Sequence, residues 1–247
     1  MSNASRSRFA EAVRRSPIDL GLACLLIEAE VEPSVDVAAG LSQLDALAAR
    51  VPSMGEAADR LRTVLGIYEG SAEDYADLRS SLLSQVLKRR RGLPILLSVV
   101  WLEVAKRAGI PAYGASLPGH FVVGLGTPDG QHQIVDPFRG GISLNKSTPA
   151  ELWDDQATLH RILTNIDRWA EGPQRIRTRL WACELGLLMP SHPAELRRRH
   201  GELLVRTGDF AGGAAELEYY ATAIDEAVPS SAETARQAAR MARARLN

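Results

Sequence analysis

The chain is short of cysteine, of net charge and of long apolar runs, and each shortage argues against a class of function. Two cysteines, Cys24 and Cys183, occur in 247 residues. They lie far apart in apolar, helix-like segments, which fits reduced, buried thiols better than a disulfide scaffold. Lysine plus arginine total 29 against 30 aspartate plus glutamate, so bulk charge points to neither a nucleic-acid nor an anionic-membrane partner. The longest apolar run, LPILLSVVWL from Leu93 to Leu102, falls short of the roughly 18 residues of a membrane span. The opening MSNASRSRFAEAVRR has no apolar core and is not a secretory signal. Metal-ligand spacing is absent, and neither a metal nor a cofactor is expected. A cytoplasmic protein is the expectation.

What is present is helix, then a short burst of strand, then helix. Apolar positions recur at three- and four-residue spacing in DLGLACLLIEAE, VDVAAGLSQLDALAARV, GEAADRLRTVLGIYE and EDYADLRSSLLSQVLKRR, so the first ninety residues read as successive helices. The next helix is mostly apolar around its N-terminal half and is expected to be central. Pro94 suits its first turn, Lys106 and Arg107 its last, and Gly109 the residue just after it. The period then changes: IPAYGASL, HFVVGLG and HQIVD are β-branched or aromatic runs separated by PG and TPDG, the pattern of a small antiparallel sheet. Helices are expected to return from Thr148 onward. The fold class is therefore α+β, with a first domain over residues 1–160 and a helical region over 161–247. In the second, Gly201, Leu204, Gly208, Phe210 and Leu217 stand at offsets resembling a tetratricopeptide helix-turn-helix, and two such units are too few for a free-standing solenoid.

His120 and Asp136 stand on the two neighbouring strands. An odd-numbered loop centred on Pro128 would put them directly opposite each other, whereas a two-residue loop would place them on different faces. A carboxylate in reach of a histidine fixes the imidazole tautomer, as in cysteine-histidine-aspartate sites. The alternative is a half-buried histidine bonded to backbone and an aspartate that caps the turn DPFRGG. Spacing alone leaves both open.

The segments KRRRGLPILLSVVWLEVAKRAGIPAYGASLPGHFVVGLG and VDPFRGG resemble the transglutaminase-like superfamily, whose fold is related to that of papain. The closer resemblance is to its bacterial SirB-type branch, with a helical N-terminal region and tetratricopeptide-like C-terminal helices. It covers the chain roughly from Asp19 to Val228, and the Arg-Gly-x-Pro, Pro-Gly-His-Phe and Asp-Pro-Phe-x-Gly-Gly elements carry it in order. The resemblance implies that His120 and Asp136 match the catalytic histidine and aspartate. It also puts Pro94 at the nucleophile position, where proline offers no side-chain nucleophile. Ser98, Tyr113 and Ser116 are weak substitutes, and Cys24 and Cys183 read as structural thiols. The expectation that follows is a non-catalytic binding or regulatory protein that takes a protein or peptide through the cleft or the C-terminal helices. The alternative is an amide or ester hydrolase or acyl transferase that uses His120 and Asp136 as a general base.

Two charged runs and the tryptophans complete the reading. KRRR, Lys88 to Arg91, is expected to be a solvated or salt-bridged helix end, and ELRRRHGE, Glu195 to Glu202, a solvent-exposed face. Trp101, Trp153, Trp169 and Trp181 are expected in packing roles.

Overall fold

The computed structural model describes residues 3–144 and 151–246. The chain divides into two units, residues 1–165 and 166–247, each considered by itself. In the first, helices α1 (Asn3–Ala12), α2 (Leu20–Val31), α3 (Val37–Ala48), α4 (Ala57–Leu65) and α5 (Leu83–Arg89) precede α6 (Pro94–Arg107). Five strands follow: β1 (Ala112–Leu117), β2 (His120–Gly126), β3 (His132–Asp136), β4 (Ile142–Ser143) and β5 (Glu151–Trp153), with α7 (Asp155–Trp169) after them.

Helix α6 is the hub, touching α2, α3, α4, α5, β1 and β2. Its composition explains this, because all but Leu102, Lys106 and Arg107 of its fourteen residues are buried. Pro94 occupies the first turn, where its missing N–H costs nothing. At the other end Gly109 adopts φ 67°, and Ile110 N–H donates to the Ala105 carbonyl at 2.9 Å, which closes the helix in a Schellman turn. The start of α2 is likewise written locally: the Asp19 carboxylate accepts from Leu22 N–H at 2.8 Å.

The stretch EDYADLRSSLLSQVLKRR is not one helix. It forms two 3-10 turns, Ala72–Ala76 and Leu78–Ser81, before α5. The reason lies in its aspartates. Asp77 accepts from Arg79 N–H at 3.0 Å, a donor that a continuous helix would have used, and Asp74 caps the first turn by accepting from Ser71 N–H at 2.8 Å.

The sheet is larger than the sequence predicts, with strand order β4-β3-β2-β1-β5. All neighbours run antiparallel. The expected return to helix from Thr148 is corrected here. Thr148 itself lies outside the described residues, and 151–153 is a strand that pairs Gly114 with Trp153, because the free edge of β1 needs a partner for its backbone groups. Strand β2 is central, and Phe121 through Leu125 are all buried. That explains why HFVVGLG lacks the alternation of a half-exposed strand.

Two buried carboxylates make stability depend on pH. Glu28 of α2 accepts from Ser84 N–H of α5 at 2.7 Å, and Glu103 pairs within α6 with Arg107. Burial pushes both above the ordinary glutamate value of 4.5, more than their hydrogen bonds pull them down. A raised folded-state value means that the folded chain holds the proton more tightly. That contribution is complete below about 4.5 and is lost as pH rises through the raised value. Glu28→Gln should therefore flatten the decline of the urea midpoint between pH 4 and 8, and parallel curves for the two proteins would contradict the reading.

In the second unit, α8 (Ile176–Leu188), α9 (Ala194–Thr207), α10 (Phe210–Ile224) and α11 (Pro229–Arg243) contact one another in sequence. Helix α9 stops at Gly208, φ 93°, and α10 starts where Asp209 accepts from Gly212 N–H at 2.8 Å. Ala214, Leu217 and Ala221 of α10 meet Ala232, Ala235 and Ala239 of α11 in two small buried clusters. Small side chains let those helices approach closely.

The run ELRRRHGE is not the exposed face expected of it. Arg197 bonds Glu216 at 3.0 Å, Arg199 pairs with Asp167, and His200 lies between Glu184 and Glu216 with 13% of its side chain exposed. Arg197, Arg199 and His200 are engaged with other helices of the unit, whereas Glu195, Arg198 and Glu202 pair along α9 itself, a division that a one-dimensional pattern cannot reveal.

Candidate functional site

The β2–β3 hairpin decides whether His120 and Asp136 meet. Val123 pairs with Val135 and Gly126 with His132, which centres an odd-numbered loop on Asp129 rather than Pro128. Continued outward, this register sets Asp136 across from Val122. His120 is then its diagonal neighbour on the same face, not its direct partner as expected from a Pro128-centred loop. A two-residue displacement preserves the face, and side chains of this size span the diagonal.

They do meet. His120 Nε2 donates to Asp136 Oδ1 at 2.9 Å. The same oxygen accepts from Phe138 N–H at 3.0 Å, so Asp136 both orients the imidazole and caps the turn that follows it. The carboxylate is 2% exposed and the imidazole 25%. Because an ionised carboxylate only accepts, Nε2 carries the hydrogen of that bond. Arg139 Nε stands 3.7 Å from the other carboxylate oxygen.

The turn after Asp136 is folded on itself: the Asp136 carbonyl accepts from Arg139 N–H at 3.1 Å and Gly141 N–H at 2.8 Å. Gly141 has φ 78°, and a Cβ there would fall 2.1 Å from the Trp101 ring. The last glycine of DPFRGG thus lets the turn rest on the indole of α6. Phe138 points its ring at His120, with centroids 5.8 Å apart and an edge-to-face arrangement. Tyr75 also meets Phe138 edge-on, with centroids 6.5 Å apart.

Gly70 joins this turn to the approach of α6. Its N–H donates to the Phe138 carbonyl at 3.0 Å, and a Cβ on it would lie 2.0 Å from the Phe138 ring and 2.5 Å from the Gly92 carbonyl. Gly92 is two residues before Pro94, so the start of α6 and the histidine-aspartate pair are linked through Gly70 and Phe138. Neither Gly70 nor Tyr75 is a site residue by sequence pattern. The missing side chain of Gly70 is nevertheless what brings three segments together.

The substitute nucleophiles are placed elsewhere or otherwise engaged. Ser98 is fully buried and donates to the Phe121 carbonyl at 3.5 Å. Ser116 donates to the Leu117 carbonyl at 3.4 Å. Tyr113 packs over Gly124 and meets His132 edge-on at 6.1 Å. Cys24 is buried with its thiol held well above its usual range by desolvation and then by Glu103. Burial pushes Cys183 up to about 12, and its thiol donates to the Leu196 carbonyl at 3.3 Å. The KRRR run is a salt-bridged helix end: Arg89 lies 3.1 Å from Asp77 and Arg91 3.2 Å from Asp74. Among the described residues no group of three or more histidine, cysteine, aspartate or glutamate side chains is arranged to hold a metal ion, and no helix is long and apolar enough to cross a membrane.

A family model described as the transglutaminase-like superfamily matches residues 38–169, the segment that contains α6, the sheet and the histidine-aspartate pair. The chain belongs to the transglutaminase-like superfamily. A second model, the tetratricopeptide repeat, matches residues 166–247, the C-terminal helices of this transglutaminase-like chain. A protein of Xylella fastidiosa named UPF0162 protein is 35% identical over 181 residues, 62% of each chain. A UPF0162 protein of Pseudomonas aeruginosa is 33% identical over 144 residues, 55% of this chain and 52% of that one. Both are bacterial, as the SirB-type resemblance implied. The mouse F-box only protein 21 shares 36% identity over 56 residues, 23% of this chain and 9% of its own. The chain spans less than two thirds of the length of the UPF0162 relatives. No solved structure matches.

Proposed function

We propose that this transglutaminase-like protein does not perform cysteine-dependent acyl transfer and is a binding or regulatory protein. Its partner is a protein or peptide, engaged beside the His120–Asp136 pair or by the C-terminal tetratricopeptide-like helices. The observation that carries the reading is the start of α6. Pro94, at the position of the family's cysteine, is buried in the first turn, and the hydroxyl one turn later, Ser98, is directed to the Phe121 carbonyl. An imidazole with no nucleophile to activate cannot run the first half of acyl transfer. Tetratricopeptide repeats generally mediate protein interactions, which supports the second attachment surface.

One observation favours a second reading. The imidazole is oriented through Nε2 by Asp136, and among the described residues Nδ1 makes no hydrogen bond, the geometry of a general base acting on water or on a bound substrate's own nucleophile. His120→Ala separates the two. A binding protein keeps its affinity for a captured partner within a few-fold after the substitution, and the wild type hydrolyses a panel of p-nitrophenyl esters and peptide anilides no faster than the variant. A base-catalysed hydrolase loses about 10²- to 10⁴-fold in rate with the same substitution while remaining folded by circular dichroism. That second result would overturn the binding reading.

A further inference from the structure

Apart from the histidine-aspartate pair, the loop before α2, the C-terminal half of α6, the start of β1 and the β5–α7 junction enclose a cavity of about 520 Å3. His120, Asp136 and Phe138 are not among its lining residues. Ile18, Leu20, Leu102, Ile110 and Trp153 provide apolar walls, and Glu103, Lys106 and Asp155 provide the charges.

Asp155 is the unusual member. The capping work at the start of α7 is done by its neighbour, since Ala157 N–H donates to Asp154 Oδ1 at 2.7 Å. Asp155 is half-buried, and among the described residues its carboxylate accepts no hydrogen bond and has no cation within ion-pair distance. Burial holds it above its usual range, with Lys106 pulling the other way from a distance and Asp154 adding to the rise. Glu103, the second carboxylate on the wall, is already paired with Arg107, which also bonds Asp45 at 2.7 Å. Lys106 is exposed on a flexible stem.

We propose that this cavity binds a small organic cation, an aliphatic or aryl ammonium whose charged head is taken by Asp155 and whose apolar body lies against Leu102, Ile110 and Trp153. A half-desolvated carboxylate with empty acceptor positions gains most from a donor that brings its own positive charge. An anion would face Asp155 and Glu103, with Lys106 the one cation among the described residues of the wall. A neutral apolar molecule would leave Asp155 buried without compensation. The indole of Trp153 adds a surface that attracts cations.

The test uses the full chain and n-hexylammonium chloride, with n-hexanol as the uncharged probe of equal length, followed by amide and indole NMR shifts. Hexylammonium is expected to saturate shifts at Lys106, Ile110 and Trp153, and to bind about tenfold or more tightly than hexanol. Asp155→Asn should remove that preference. Lys106→Gln, an exposed change that does not endanger folding, should tighten hexylammonium several-fold, because it removes the competing cation. Equal affinity for the two probes, an unchanged preference in Asp155→Asn, or no gain in Lys106→Gln would each overturn the proposal. If Asp155→Asn fails to fold, the Lys106→Gln comparison decides alone.

Discussion

Replacing Asp136 by alanine is expected to cost on the order of 3 kcal/mol of stability and to release the imidazole of His120 from its single tautomer. The magnitude follows from what one oxygen does. Asp136 Oδ1 accepts from His120 Nε2 at 2.9 Å and from Phe138 N–H at 3.0 Å, and the side chain is 2% exposed. Alanine leaves both donors facing a site that water enters poorly, so their desolvation is no longer offset. Asparagine keeps one acceptor oxygen and should cost roughly half as much. Urea unfolding measures the stability. Imidazole nitrogen shifts report the tautomer: one Nε2–H form in the wild type, a mixture in Asp136→Ala. A loss below about 0.5 kcal/mol with an unchanged tautomer would mean that the pair is incidental to both the turn and the site.

The second large effect belongs to the glycine that ends the same turn. Gly141→Ala is expected to cost about 3 kcal/mol, whereas Gly109→Ala should cost about 1 kcal/mol. Both positions have positive φ, 78° and 67°, so both variants carry the left-handed backbone penalty. Only one carries a collision. A Cβ at Gly141 falls 2.1 Å from the ring of Trp101, while a Cβ at Gly109 meets nothing within 4 Å. Trp101 is fully buried and has no room to retreat, so the turn must move instead. Because Gly141 N–H donates to the Asp136 carbonyl at 2.8 Å, that movement reaches the carboxylate and should loosen the His120 hydrogen bond as well. Paired unfolding curves measure the difference, and equal losses at the two glycines would remove Trp101 from the account.

Much of the architecture was readable in one dimension because its signals are local. Pro94, Lys106, Arg107 and Gly109 mark the two ends of α6 through the first-turn tolerance of proline, the macrodipole and the left-handed cap, and the helix spans Pro94–Arg107. The change of period after Gly109 announced strands. EDYADLRSS reads as helix because its apolar spacing is helical, while Asp77 takes the Arg79 N–H, and periodicity does not count such bonds. Strand β5 escaped because a three-residue strand has too few positions to show alternation; its existence depends on the open edge of β1. The arginines of α9 read as a solvent face because a helical pattern shows spacing but not which neighbouring helix supplies Glu216 or Asp167.

For the site itself, residue types and order on the chain, read through the family resemblance, made His120, Asp136 and Pro94 the candidates. They could not say whether the pair touches. A hairpin register shifted by two residues keeps the same face and one shifted by a single residue destroys it, and the difference lies in how the loop around Asp129 folds. Nor could they join Gly70, Phe138 and the approach to α6, which lie far apart in sequence and are brought together by the absence of a side chain at Gly70. The sequence by itself determined which groups are available: an imidazole, a carboxylate and, at the start of α6, a proline. Tertiary structure alone decided that the first two are bonded and that Ser98 is spent on backbone, because hydrogen bonding depends on distances that only packing sets.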